Sequence, residues 1–219
     1  MVIYEKYRPK TFDEIIGQEA AVKKARLVCK RGAEHNAFWI TGKSGQGKTT
    51  LARIIAKEVA SDITTHELDA DGLTPAGLEK ITSCWCYSNL FSAGGGYALI
   101  INEAHGLRQD TVRVLLVLLE RLARGEIGNG IIIFTTTKAG EKDLFGSNID
   151  ANPLISRCIE IHLAQRDLTE AFAKRIHEIA CKEGLNGQPI SAYLQLARDT
   201  RNNFRRMLEI VAGGEMLNN

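Results

Sequence analysis

No apolar run in this chain is long enough to cross a bilayer as a helix. The longest, "VLLVLL" at 114 to 119, falls far short of the roughly 20 residues that a spanning helix needs, so neither a helical anchor nor a membrane partner is expected. The opening "MVIYEKYRPK" lacks the apolar core and small-residue cleavage site of a secretory signal, which makes the cytoplasm or its equivalent the expected compartment. Paired CxxC motifs are missing too. The five cysteines, at 29, 84, 86, 158 and 181, are odd in number and wrongly spaced for a zinc quartet or a complete disulfide framework; Cys84 and Cys86 are expected as core or rim thiols. Nor is there a surplus of one charge. With 28 basic and 26 acidic side chains the net charge is +2, too small to mark a nucleic-acid binder by bulk electrostatics, so any such surface would have to be local. Internal repeats and low-complexity tracts are absent.

What is present is ordinary for a globular protein: 44% hydrophobic and 25% charged residues over 219 positions, enough for one sizeable core and a small second unit. A helix is expected over 13 to 31, ending at Gly32. The apolar strand "AFWIT" (37 to 41), a glycine loop and a helix over 48 to 60 come next. A short strand at "TTHEL" precedes a helix opened by Thr74 and Pro75, which suit an N-cap and a first helical position. Strands are expected again at 97 to 102, 130 to 136 and 158 to 162. Between them the helix 109 to 124 is apolar on nearly all sides, a pattern that implies burial between layers. Apolar strands alternating with helices mean a parallel sheet covered on both faces, an α/β fold. From 167 the strand pattern stops, and helices are expected over 167 to 183, 190 to 199 and 201 to 213. The chain therefore divides into a sheet-bearing domain, 1 to 164, and a helical one, 165 to 219.

The glycine loop is "GKSGQGKT" at 42 to 49, a complete GxxxxGK[ST] pattern set between a strand and a helix. Its glycines let successive backbone N–H groups face a chain of phosphates, and the helix N-terminus adds its positive end. Lys48 neutralises the outer phosphates and the Thr49 hydroxyl ligates magnesium. Gly42, Lys43, Ser44, Gly45, Gln46, Gly47, Lys48, Thr49 and Thr50 form the expected nucleotide-binding segment, with the Lys43 side chain solvated.

"YEKYRPKTFDEIIGQEAAV" (4 to 22), the loop, "LIINEAH" (99 to 105), "IIIFTTT" and "LISRCIEIHL" (154 to 163) occur in one order. Together they resemble the clamp-loader branch of the AAA+ ATPases, most of all replication factor C small subunits and the bacterial ATP-hydrolysing subunits. That resemblance runs from about residue 3 to 213. It implies a P-loop AAA+ module with a five-stranded parallel sheet, a helical lid, ATP and Mg2+ as cofactors, and a ring of related subunits or of copies of the chain. The implied task is loading a sliding clamp on primed or duplex DNA, at the nucleoid or in a eukaryotic nucleus. In that family the segment before the first helix wraps the adenine, which implicates Tyr7, Arg8, Pro9, Ile15 and Ile16. Arg157 of "SRC" corresponds to the arginine finger that enters a neighbour's site. Thr136 corresponds to sensor 1, with Thr135 and Thr137 adjacent, and Arg205 to sensor 2, with Arg206 beside it.

Glu103 corresponds to the carboxylate that polarises the hydrolytic water. The position before it normally carries an aspartate that holds magnesium, often through water, and here it is Asn102. Asparagine keeps an acceptor oxygen and loses a negative charge, so magnesium should bind more weakly and hydrolysis should be slowed rather than abolished. The resemblance also implies a helical collar domain after the lid, so the 219 residues are expected to be a fragment lacking it or a compact relative; the missing bacterial zinc cysteines fit the replication factor C type or a viral or mobile-element relative. DNA contacts would fall to backbone amides near Thr74 in "DADGLTPAGLEK", or to Arg108 and Arg113. Two other readings stay open: a helicase-loader or initiator-type DNA remodeller, and a nucleotide-binding structural subunit with little hydrolysis.

Overall fold

The computed structural model describes residues 2–32, 36–87, 96–137, 152–164 and 166–217. β1 (Ala37–Thr41), β3 (Gly96–Asn102) and β4 (Gly130–Thr136) are almost wholly apolar, and such strands need cover on both faces. They form the centre of a five-stranded parallel sheet of order β2-β3-β4-β1-β5, with β2 (Ala60–Asp69) and β5 (Ile159–His162) at its edges. On one face α2 (Glu19–Lys30) and α3 (Lys48–Lys57) bring Ala25, Leu51 and Ile55 into a cluster with Phe38, Ile40, Ile100 and Ile133. On the other, α4 (Pro75–Tyr87), α5 (Gln109–Ala123) and the short α6 (Asn152–Ile155) bring Leu78, Trp85, Leu115 and Leu154 against Trp39, Leu99, Ile101 and Phe134.

The tail forms α7 (Thr169–Glu183), α8 (Ile190–Asp199) and α9 (Phe204–Ala212) around Phe172, Ile176, Tyr193, Met207 and Val211. Ile3, Tyr4 and Tyr7 pack on that same cluster. The first turn of the chain, α1 (Ile3–Lys6), is thus a strap across the helical unit. Lys6 Nζ and the Tyr7 hydroxyl both donate to the Glu183 carboxylate at the end of α7. Among the described residues no helix is long and apolar enough to cross a membrane.

Several elements differ from the sequence expectation. The helix expected over 13 to 31 is a single 3-10 turn, Phe12–Glu14, followed by α2 from Glu19. Gly17 separates them at φ 70°, and a Cβ there would lie 2.8 Å from Leu168 Cδ2, so the break also admits the helical unit. α3 stops at Lys57 because β2 begins at Ala60, and β2 is ten residues long where "TTHEL" predicts five. α5 is not buried all round. Thr111, Val112, Leu115, Leu118, Leu119 and Leu122 face inward, while Val117 is 58% exposed beside exposed Arg113 and Arg121. The last helix starts at Phe204, after Arg201 and Asn202 turn through φ 53° and 59°. Thr74 does cap α4, its Oγ1 accepting the Gly77 N–H at 3.1 Å. The side chains of Cys84 and Cys86 lie outside the described residues.

Candidate functional site

The loop between β1 and α3 turns through Gly45 and Gly47, at φ 75° and 99°, a left-handed region that side chains disfavour. Gly47 caps α3, so the free N–H groups of that helix open toward the loop. The Lys43 side chain is exposed as expected, and its N–H donates to Gln46 Oε1 at 2.9 Å. Lys48 is only 7% exposed and its Nζ donates to the neutral Lys43 carbonyl at 3.2 Å. Burial lowers its pKa; Arg205 adds to that and Glu103 opposes it. An anionic phosphate arriving at Nζ would favour the charged ammonium and so offset this burial penalty.

Above the loop lies a cleft of about 1020 Å³, including its open mouth. Ser44 to Thr50 form its floor, Tyr7, Arg8, Pro9, Ile15 and Ile16 one wall, and Phe172, Arg175, Phe204, Arg205 and Leu208 the other. The wall from the first residues is braced from below: Arg8 donates to Thr50 Oγ1 at 3.1 Å and pairs with Glu5. Arg205 lies over the Tyr4 ring, 5.4 Å from its centroid, whereas Arg206 turns to Glu209. The helical unit touches the loop directly. Phe204 N–H donates to the Gly45 carbonyl at 3.2 Å, and Asn203, which caps α9, sits so close that a Cβ on Gly45 would lie 1.9 Å from its Oδ1.

The acidic motif ends β3 beneath the loop. Asn102 Oδ1 accepts from Thr49 at 3.2 Å and from Thr135 at 2.9 Å, and its Nδ2 donates to Glu67 Oε1 at 2.9 Å. Glu67 is held in turn by Arg53, through Nε at 2.6 Å and a second nitrogen at 3.1 Å. Thr49 and Arg53, four residues apart on one face of α3, therefore address Asn102 and Glu67 together. Glu103 lines the cleft with a left-handed backbone, φ 49°, and its carboxylate is half-exposed. Thr136 points to the opposite face of the sheet and is fully buried, 3.2 Å from His105 Nδ1, which is itself 3.4 Å from Glu103.

Hard oxygen donors at Thr49 and Asn102, facing a phosphate loop, fit Mg2+, which is commonly held by one or two protein groups together with phosphates and water. Among the described residues no group of three or more His, Cys, Asp or Glu converges as a separate metal cage.

Arg157 does not line this cleft. It is exposed, donating to the Pro153 carbonyl and to Glu120, each at 2.8 Å. The adjacent Cys158 thiol is pushed up to about 12, chiefly by burial and further by Glu160, which disfavours its thiolate. The structure thus gathers Ser44 to Thr50, Tyr7, Arg8, Pro9, Ile15, Ile16, Glu103 and Arg205 around one cleft with Asn102 behind Thr49, while Gly42 and Lys43 do not line it. It leaves Thr136 on the far face and Arg157 on the outside. Sequence reasoning missed Glu67, Arg53, His105 and the aromatic pair Phe172 and Phe204. For Glu67 only part of a signal existed: it lies near the carboxyl end of the strand expected at "TTHEL", an end where open parallel sheets bind ligands, but nothing in the sequence sets that strand beside β3.

Sheet order and phosphate loop define a P-loop domain of the AAA+ class. Residues 7–122 match the family described as the Holliday junction DNA helicase RuvB P-loop domain, more than half of the chain, and the chain belongs to that family. Among solved structures it is similar to the Thermotoga maritima RuvB Holliday junction branch migration motor, with TM-score 0.70 and 26% identity over 94% of this chain and 64% of that one. Among curated proteins it is similar to the DNA polymerase III subunit gamma/tau of Mycoplasma genitalium, 27% identical over 83% of this chain and 32% of that protein. The replication factor C small subunit of Methanosphaera stadtmanae is 24% identical over 94% of this chain and 61% of that protein. The chain spans less than two thirds of the length of each of these relatives.

Proposed function

We propose that the chain is an ATP-binding subunit of a clamp-loader-type assembly, which uses ATP binding and hydrolysis to load a sliding clamp on primed or duplex DNA. One observation carries the reading: a phosphate loop roofed by a helical lid, in a chain whose relatives over four fifths or more of its length are named as DNA polymerase III gamma/tau and replication factor C small subunits. Backbone amides of the loop and Lys48 bind the phosphates, while Tyr7, Pro9, Ile15 and Ile16 offer an apolar slot for the base. Magnesium, when bound, spreads the charge of the outer phosphates. Thr49 and Asn102 are the side chains that would hold it, directly or through water. Glu103 accepts a hydrogen bond from the attacking water and so polarises it, and Arg205 reaches the phosphates from the lid. Thr136 acts through His105, which it contacts. Arg157 serves the next subunit's site; its exposure supports that reading. DNA would meet exposed Arg108 and Arg113 or the amides near Thr74.

The test is Mg2+-dependent ATP turnover with and without primed DNA and a sliding clamp, for the parent chain and for Arg157→Ala. Stimulation by DNA and clamp that vanishes in the variant is expected; equal rates throughout would contradict the proposal. A second reading, a DNA-remodelling motor, is favoured by the family match and by the likeness to the Thermotoga motor. Stimulation by four-way junctions rather than by primed DNA and clamp would select it.

A further inference from the structure

An asparagine at the metal position creates a difficulty that an aspartate does not have. A carboxylate presents oxygen whichever way it turns, but an amide can turn its NH2 toward the cation. Something must decide which end faces Thr49. The two hydroxyls around Asn102, Thr49 at 3.2 Å and Thr135 at 2.9 Å, can each donate or accept and so decide nothing. The third partner is different. Glu67 is ion-paired to Arg53 through two hydrogen bonds, so it is a carboxylate that only accepts, and the amide nitrogen must face it at 2.9 Å.

This meeting follows from the strand register. Asp69 stands opposite Asn102 and Ile100 opposite Glu67, so Glu67 and Asn102 are diagonal neighbours on one face of the sheet. The same face is covered by the first turns of α3, which supply Thr49 to one and Arg53 to the other. We propose that Glu67 is a positioning residue for magnesium: by capturing the Asn102 amide nitrogen it holds the carbonyl oxygen toward Thr49 and the metal position. This rests on the ATPase reading above and adds to it a residue that touches neither nucleotide nor metal.

The test is a double-mutant cycle read by equilibrium binding of a fluorescent ATP analogue across a Mg2+ titration, without reference to turnover. Glu67→Ala and Glu67→Gln are each made with Asn102 and with Asn102→Asp. With Asn102, Glu67→Ala should raise the Mg2+ concentration for half-maximal tightening about tenfold, the weight of one hydrogen bond to a charged group. With Asn102→Asp the same change should leave that concentration unaltered or lower it, because a carboxylate has no wrong end and loses a repelling neighbour. Glu67→Gln can keep an oxygen where Asn102 Nδ2 and one Arg53 nitrogen both donate, but its NH2 then meets Arg53 Nε, so it should weaken Mg2+ binding less than Glu67→Ala without matching its parent.

Equal weakening by Glu67→Ala in both backgrounds, or a loss in Glu67→Gln as large as in Glu67→Ala, overturns the assignment while leaving the ATPase reading intact. Should the melting curve show Glu67→Ala unfolded, Glu67→Asp carries the same comparison, its shorter carboxylate still facing Arg53 but falling short of Asn102. A parent chain that binds nucleotide with no Mg2+ dependence overturns both readings, an outcome already recognisable before any variant is measured.

Discussion

Asn102 retains the acceptor through which Thr49 is held, at 3.2 Å, and carries no negative charge beside the proposed metal position. A hydrogen bond to a charged group is worth roughly 1.5 to 3 kcal/mol, so Asn102→Asp should lower the Mg2+ requirement for turnover by about tenfold. The facing Glu67 carboxylate keeps the gain below what an isolated aspartate would bring. Unchanged Mg2+ dependence and unchanged turnover would remove Asn102 from the site. Glu103→Gln should lose turnover and keep nucleotide affinity, since Glu103 lines the cleft without belonging to the loop that binds phosphate; a parallel loss of binding would count against its role. The loop and the Asn102–Glu103 pair could be read from sequence because each is a local pattern. Glu67 could not, since its meeting with Asn102 depends on a register between strands far apart in the chain. The threonines of β4 were ambiguous for a related reason. A strand buried on both faces reads as one continuous apolar run with no phase, and only the structure assigns Thr135 to Asn102 and Thr136 to His105.

The strap of α1 across α7 depends on charge. The Glu183 carboxyl sits below its ordinary 4.5 because Lys6, and then Tyr7, donate to it. A depressed carboxylate pKa stabilises the fold above the unfolded value, and that contribution is lost as the pH falls through about 4.5 and below. Lys6 and Tyr7 are raised above 10.5 and 10.0 chiefly by the same bonds, so their contribution is present below those values and lost above them. The melting temperature should therefore fall more steeply below pH 4.5 in the parent than in Glu183→Gln; parallel curves would show the strap to be inert. Gly45→Ala joins loop and lid in one test. Its Cβ would need the space of Asn203 Oδ1, at 1.9 Å, in a conformation that alanine disfavours. Nucleotide binding should be lost and α9 should exchange its amide hydrogens faster; an unaltered α9 would mean that loop and lid are independent. The lid helices were legible by periodicity, but their seat on Gly45 was not. The merged helix over 13 to 31 has the same root, because Gly17 yields to a neighbour, Leu168, that lies far along the chain.

In the whole molecule, Arg157 and the cleft occupy separate surfaces: the cleft is lined by Lys48, Glu103 and Arg205, and Arg157 lies outside, paired with Glu120. A guanidinium serving a neighbour's phosphates is worth about 10³ to 10⁵ in rate, while an exposed pair contributes less than about 1 kcal/mol to stability. Arg157→Ala should thus melt like the parent, bind nucleotide as the isolated chain does, and lose turnover by about a thousandfold or more once assembled. Mixing it with Glu103→Gln should restore part of that turnover if copies of the chain share sites; a mixture as inactive as its components would argue against sharing. The sheet, its α/β class and the helical tail could be inferred from hydropathy patterning, whereas the strand order could not, because continuous apolar strands carry no record of their neighbours. All of these expectations depend on a triphosphate seated over the loop, so the decisive measurement is calorimetric titration of the parent chain and Lys48→Ala with ATP in the presence of Mg2+. Saturable binding by the parent that disappears in the variant is predicted; a parent that takes up no nucleotide at millimolar ATP, or a variant that binds as tightly, would contradict the account.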